Sequence, residues 1–199
     1  MSGDPQTLAV YAAHHAQYAA LTEPASARDS LRRFIARLPR GGAALDLGCG
    51  PGHAAAEMAR AGLVTTAFDL SPEMVALAAS HPGVKAMKAS FDDLKDEAAF
   101  HGIWANFSLL HAPRAAFPGH LDRICRALKP GGILHLGMKT GTGTDRDALG
   151  RLYTYYSADD LVAHLDRAGL TAEPPRHGKG RGLAGTTDPH VIILARRPG

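Results

Sequence analysis

The sequence predicts an α/β fold, a doubly wound and mostly parallel sheet whose last strand runs antiparallel. Three observations carry that expectation. The apolar run Ala43–Leu47 is followed by glycines at 48, 50 and 52 and then by a helix-like segment. Strand-like and helix-like segments go on alternating for most of the chain, as βαβ units require. Near the end, two strand-like segments have only a Gly- and Arg-rich stretch between them, and strands without a crossover helix pair antiparallel.

In order along the chain, Leu8 to Leu38 reads as helical with an interruption at Pro24. Leu31, Phe34, Ile35 and Leu38 lie on one side of its second half, and Pro39 to Gly42 ends it. Strands are predicted at Ala43–Leu47, Val64–Phe68, Val84–Ala89, Gly102–Phe107 and Gly132–Leu136. Helices are predicted at His53–Ala61, Pro72–Ser80, Arg114–Leu128 and, after a long polar connection, Ala158–Ala168. The closing strands are Leu170–Pro175 and His190–Ala195, joined by a loop.

Composition bounds the function. A chain of 199 residues with 45% hydrophobic and 21% charged residues is one globular domain of ordinary size. Its formal charge of +3 comes from scattered basic residues, with no Lys/Arg run to make a nucleic-acid footprint. No apolar run approaches the ~20 residues that cross a bilayer, and the N-terminus has no secretory pattern. Cys49 and Cys125 stand far apart, so a reducing cytoplasm is expected. The 11 histidines form no metal-spaced motif, and no metal site is expected.

A strand, a glycine-rich turn and a helix N-terminus make a site for a nucleotide-like ligand. The dinucleotide fingerprint G-x-G-x-x-G/A needs Gly or Ala at position 53, where histidine stands, which disfavours a pyrophosphate. Asp69 ends the second strand, 19 residues beyond Gly50, where a carboxylate can accept from both ribose hydroxyls. Ser71 and Pro72 supply a helix cap and first turn, which leaves Asp69 free for that work.

The successive stretches "LDLGCGPG", "FDLSPEMV", "ASFDDL", "WANFSLLH" and "ALKPGGILHLG" resemble, in order and spacing, the motifs of class I S-adenosylmethionine-dependent methyltransferases. The resemblance runs from about Leu38 to the C-terminus. It implies a seven-stranded Rossmann-like sheet with an antiparallel last strand, S-adenosyl-L-methionine as cofactor, and a helical lid ahead of the first strand. Residues 1–40 would be that lid and 41–199 the cofactor-binding domain. Asp46, Gly48, Cys49 and Gly50 would surround the methionine part of the cofactor. Asp69 would hold the ribose, and Leu70 and Met74 one adenine face. Ser90, Phe91 and Asp92 would approach the adenine edge, with Asp92 taking the amino contact because serine stands where the family often has an acid. Asn106 and Phe107 would lie beside the methionine amino group and the sulfonium. His101 replaces the aspartate that usually begins the fourth strand.

In-line methyl transfer asks mainly for desolvation and alignment, and for a general base only when the nucleophile must lose a proton. His111, close after the fourth strand, is the candidate catalytic residue. Candidate substrate contacts are Tyr11, His15 and Tyr18, read as one helical face, and Lys139, Arg151 and Tyr155 beyond the fifth strand, with Arg146 between them. Those cations suggest an anionic small-molecule acceptor. The expected partner is that small molecule, with neither nucleic acid nor membrane, and the chain is expected to be a monomer or homodimer. A non-catalytic module binding the same cofactor remains an alternative, as does an RNA or protein methyltransferase. Against nucleic-acid bases as acceptors, the segment after the fourth strand is "NFSLL" and lacks the D/N-P-P-Y/F signature.

Overall fold

The computed structural model describes residues 3–19 and 25–199. Helices α1 (Pro5–Ala13), α2 (His15–Ala19) and α3 (Ala25–Ile35) precede β1 (Ala43–Leu47). There follow α4 (His53–Arg60), β2 (Val64–Asp69), α5 (Pro72–Ala79), β3 (Val84–Lys88), β4 (Phe100–Asn106), α6 (Phe117–Ala127) and β5 (Leu128–Lys139). The chain ends with β6 (Thr144–Arg146), β7 (Leu152–Thr154), α7 (Ala158–Arg167), β8 (Thr171–Ala172), β9 (Arg176–Arg181) and β10 (Thr187–Arg196).

The main sheet runs β3-β2-β1-β4-β5-β10-β8, parallel through β5 and antiparallel at β10. A mostly parallel sheet with an antiparallel last strand is the expected one, but the last loop is not. Residues Arg176–Arg181 form β9, an eighth strand on the same edge of β10 as β8. Pro174 and Pro175 have no N–H to donate and separate β8 from β9. The polar connection after β5 is also ordered, as the β6–β7 hairpin. At its tip the Asp147 carboxylate accepts from the N–H groups of Leu149 and Arg151, and Gly150 takes a φ of +90°.

Strand alternation sends side chains to two layers. Leu45 and Leu47 join Phe117, Leu121 and Ile124 of α6 and Leu161 and Leu165 of α7 on one face. Ala44, Trp104 and Ile133 pack against Leu31 and Phe34 of α3 and Met58 of α4 on the other. α3 therefore belongs to a helix layer of the sheet, and of the described segments before β1 it is α1 that reaches the ligand edge.

α1 begins at Pro5, three residues earlier than apolar spacing suggests, because the Asp4 carboxylate accepts from the Thr7 N–H at 2.8 Å and Pro5 fits the first turn. It ends at Ala13, and a new helix starts at His15. The reading of Tyr11, His15 and Tyr18 as one continuous face is thus corrected. His15 Nδ1 instead pairs with the carbonyl of Ala12 at 2.7 Å. Pro24 and the side chain of Tyr18 lie outside the described residues. Among the described residues no helix is long and apolar enough to cross a membrane.

Candidate active site

Strand order reverses direction between β1 and β4, the switch point at whose carboxyl edge open α/β sheets bind ligands. A cavity opens there. It is lined by Gly48 and Gly50 after β1, Asp69, Leu70, Ser71 and Met74 at the end of β2, Ala89, Ser90 and Phe91 after β3, and Asn106, Phe107, Ser108 and His111 after β4. Gly3, Asp4, Thr7, Leu8 and Tyr11 close it from the side of α1.

The glycines of the first turn answer to different demands. A Cβ at Gly48 would overlap the side chain of Ser108, whose hydroxyl donates to the Leu47 carbonyl at 2.6 Å. A Cβ at Gly52 would lie 2.7 Å from Ala78, so that glycine lets α4 pack on α5. Gly50 takes a φ of +52°, lines the cavity, and donates its N–H to Asp69 Oδ2 at 2.8 Å. Asp69 Oδ1 accepts from the Ser71 N–H at 2.9 Å. Both carboxylate oxygens are thereby aimed by backbone, while burial pushes the acid's pKa up against these bonds.

Three expected cofactor contacts do not line the cavity. Asp46 is buried and accepts from the Ala55 N–H at 3.1 Å, supplying the first turn of α4 with the cap that Gly52 cannot. Cys49 is buried behind the turn, and burial raises its pKa far above the usual thiol value, which leaves an inert thiol. Asp92 turns toward α6, with its carboxylate 3.7 Å from His120 Nδ1 and 3.8 Å from Arg123 Nε. Ser90 and Phe91 line the cavity, whereas Asp92 does not. His101 accepts from the Ala43 N–H at 3.0 Å and holds the start of β1.

After β4, Phe107 adopts a φ of +56°, a left-handed conformation that non-glycine residues take at a cost of roughly 1–3 kcal/mol. Neighbouring Asn106 is oriented from β5. His135 is fully buried, its ring centroid 3.5 Å from that of Trp104, and desolvation lowers its pKa to about 3. The neutral ring brings Nε2 within 3.1 Å of Asn106 Oδ1, so the amide oxygen faces β5.

His111 sits where β4, α1 and the hairpin meet. Its Nδ1 lies 2.6 Å from the Leu152 carbonyl and its Nε2 2.9 Å from the Tyr11 hydroxyl. Desolvation lowers its pKa to about 4, so the imidazole is neutral near pH 7. Further ties hold α1 to the hairpin. The Leu152 N–H donates to Thr7 Oγ1 at 2.8 Å, and Arg146 grips the Asp4 carboxylate through two bonds of 2.8 and 2.9 Å.

The cations expected to meet an anionic acceptor are already paired within the chain. Arg146 is taken by Asp4, Arg151 by Asp147 at 2.6 Å, and Lys139 by Asp188 at 2.7 Å with its ammonium over the Tyr153 ring. Lys139, Arg151 and Tyr155 do not line the cavity, whereas Asp4, Thr7 and Leu8 do and went unnoticed in the sequence. The Asp-Pro-x-Thr start of α1 was the available signal for the first two.

The methyltransferase domain family matches residues 44–132. The chain is 38% identical to a ubiquinone biosynthesis O-methyltransferase of Xanthomonas axonopodis pv. citri, over an alignment covering 84% of this chain and 82% of that protein. It is 33% identical to 27-O-demethylrifamycin SV methyltransferase of Amycolatopsis mediterranei, covering 65% of this chain and 54% of that protein. Among solved structures, the Burkholderia thailandensis 1,6-didemethyltoxoflavin-N1-methyltransferase, with bound 1,6-didemethyltoxoflavin and S-adenosylhomocysteine, superimposes with a TM-score of 0.80 at 25% identity, over 98% of this chain and 88% of that one. The fold and the cavity define an enzyme of the Rossmann-like class that works at a strand-tip nucleotide site. The chain belongs to the class I S-adenosylmethionine-dependent methyltransferases, and S-adenosyl-L-methionine is its cofactor.

Proposed function

We propose that the chain methylates a hydroxyl group of a small-molecule acceptor, with His111 receiving the proton. One observation carries this reading. A neutral imidazole faces the ligand cavity with one nitrogen tied to a backbone carbonyl. A hydroxyl must lose a proton to become an ether, whereas a tertiary amine or thioether needs no base. The O-methyltransferase relatives support the same choice.

The lining fits the cofactor. Asp69 presents a backbone-aimed carboxylate to the ribose, Leu70, Met74 and Phe91 offer apolar faces to adenine, and Gly50 and Asn106 stand at the methionine end. When bound, S-adenosylmethionine supplies an electrophilic methyl on a sulfonium. α1 covers the site and excludes water, which would compete for the methyl and weaken every polar contact inside. With Lys139, Arg146 and Arg151 paired to carboxylates, these expected cations are not surplus charge for an anion, and an uncharged acceptor fits the site better.

The test is a transfer screen with labelled S-adenosylmethionine against metabolite extract, with products identified by mass. An O-methylated product that the wild type forms and His111→Gln forms about 100-fold more slowly supports the reading. Products methylated only on nitrogen or sulfur contradict it.

A further inference from the structure

Asp147, Arg151, Tyr11 and His111 form a hydrogen-bonded row leading from the hairpin across α1 to the cavity, and the chemistry of its ends sets the direction of every bond. The Leu152 carbonyl can only accept, so His111 Nδ1 carries the proton and Nε2 the lone pair. The Tyr11 hydroxyl, 2.9 Å away, therefore donates to Nε2. A guanidinium only donates, so Arg151 Nη1 gives a hydrogen bond to the Tyr11 oxygen at 3.1 Å. Arg151 is 2% exposed, and its Nε and Nη2 grip Asp147 Oδ2 at 2.9 and 2.6 Å. The row is over-determined at the Asp147 end by two backbone N–H groups and reaches substrate space at the Tyr11 end, since Tyr11 and His111 both line the cavity.

We propose that Tyr11 is a second catalytic residue, through which His111 receives the acceptor's proton, and that Arg151, held by Asp147, is the positioning residue for Tyr11. The proposal rests on the reading of the acceptor as a hydroxyl. The Nε2 lone pair is already engaged by the Tyr11 proton, so a hydroxyl entering the cavity delivers its own proton to the Tyr11 oxygen. In the transfer step the acceptor oxygen bonds to the methyl carbon, and the carbon–sulfur bond breaks with its electron pair left on sulfur. The acceptor proton passes to the Tyr11 oxygen as the Tyr11 proton moves along its existing hydrogen bond to Nε2. His111 ends as an imidazolium, its Nδ1–H still bonded to Leu152, and Tyr11 ends as it began. Arg151 opposes negative charge building on the phenol oxygen during the exchange. The charged and titratable groups facing the pair are Arg151 and Asp147 from the hairpin, Tyr153 from β7, Lys139 from β5 and Asp69 from β2.

The test combines imidazole nitrogen NMR on the full chain saturated with S-adenosylhomocysteine and kinetics with the acceptor found by the transfer screen. Near neutral pH the His111 ring is expected with Nδ1 protonated and Nε2 bare but shifted by a hydrogen-bond donor. Tyr11→Phe removes that shift without changing the tautomer, and Arg151→Gln reduces it, with partial recovery in Arg151→Lys. S-adenosylhomocysteine affinity stays within about two-fold in all three variants. Tyr11→Phe lowers kcat by about 100-fold, within the range of general acid–base catalysis. The double variant with His111→Gln falls no further than the worse single one, as residues acting as a unit do. An Nε2-protonated ring, or an Nε2 signal blind to Tyr11→Phe, overturns the row. An O-methylated product with wild-type kcat in Tyr11→Phe overturns the relay alone. A product methylated only on nitrogen or sulfur overturns the hydroxyl reading and the relay with it.

Discussion

Asp69 and His111 face the same cavity but are held there by different means. Asp69 is aimed by backbone at strand tips, through the N–H groups of Ser71 after its own strand and Gly50 after neighbouring β1. His111 is aimed by groups remote in sequence, the Tyr11 hydroxyl 100 residues before it and the Leu152 carbonyl 41 residues after it. The half of the cleft proposed for the cofactor is thus written in backbone geometry at strand tips. The half proposed for the acceptor is lined by α1 and His111, which the hairpin holds from behind the cavity, and these meet only in the folded chain. Such a division lets one scaffold keep its cofactor while the acceptor surface changes around it.

The sharpest way to break the cofactor half is at Gly50. Valine there would meet a left-handed φ that costs an L-residue roughly 1–2 kcal/mol, at a residue that lines the cavity. Gly50→Val is expected to weaken S-adenosylhomocysteine binding by about 100-fold or more in calorimetry. A folded variant that binds normally would remove the turn from the cofactor site.

A smaller effect is expected where the halves are latched. Asparagine caps a helix as well as aspartate does, so Asp4→Asn keeps the cap on Thr7 and loses the ion pair to Arg146. Arg146 keeps 38% side-chain exposure, and a pair of that kind contributes about 0.2–1 kcal/mol. Cofactor affinity should fall no more than about five-fold at low salt, and the difference should shrink as salt screens the pair. Equal loss at high and low salt would show that the contact acts through shape and not charge.

The gentlest probe is pH. His111 and His135 titrate at about 4 and about 3 in the fold, below the ordinary histidine value of 6.5. The unfolded chain therefore binds more protons than the folded one between 6.5 and those values, and stability is lost as pH falls through that window. Urea midpoints should be level above about pH 7 and decline below about 6.5. His111→Gln should flatten the part of the decline above pH 4. A midpoint that holds steady from neutrality to pH 4 in the wild type would contradict buried neutral imidazoles.

What the sequence disclosed follows the same division. The mostly parallel sheet, the antiparallel β10 and the place of Gly50 and Asp69 at one edge were legible from strand–turn–helix spacing, and the family resemblance added Leu70, Met74, Phe91 and Asn106. Asp46 and Asp92 were named by position, but spacing does not say which way a side chain turns, and these face α4 and α6. The start of α1 is set by the Asp4-Pro5 cap, which apolar spacing does not show. The break at His14 was missed because alanine-rich sequence carries no stop signal. β9 was hidden in glycines and arginines, since a strand on a sheet edge needs partners more than propensity. Pairing of Lys139 with Asp188, and of Arg146 with Asp4 142 residues away, joins partners that no local pattern reveals, whereas Arg151 takes Asp147 four residues before it.

The most direct test of the divided site is one pair of variants measured two ways, by S-adenosylhomocysteine calorimetry and by turnover of labelled S-adenosylmethionine with a hydroxyl acceptor. Asp69→Ala is expected to weaken cofactor binding by about 1–3 kcal/mol, the loss of charge-assisted hydrogen bonds, with kcat at saturation largely kept. His111→Gln is expected to keep the cofactor dissociation constant within about two-fold while kcat falls by about 100-fold. If His111→Gln loses cofactor affinity as Asp69→Ala does, or keeps wild-type turnover, the two halves are not separate and His111 is not where the acceptor's proton goes.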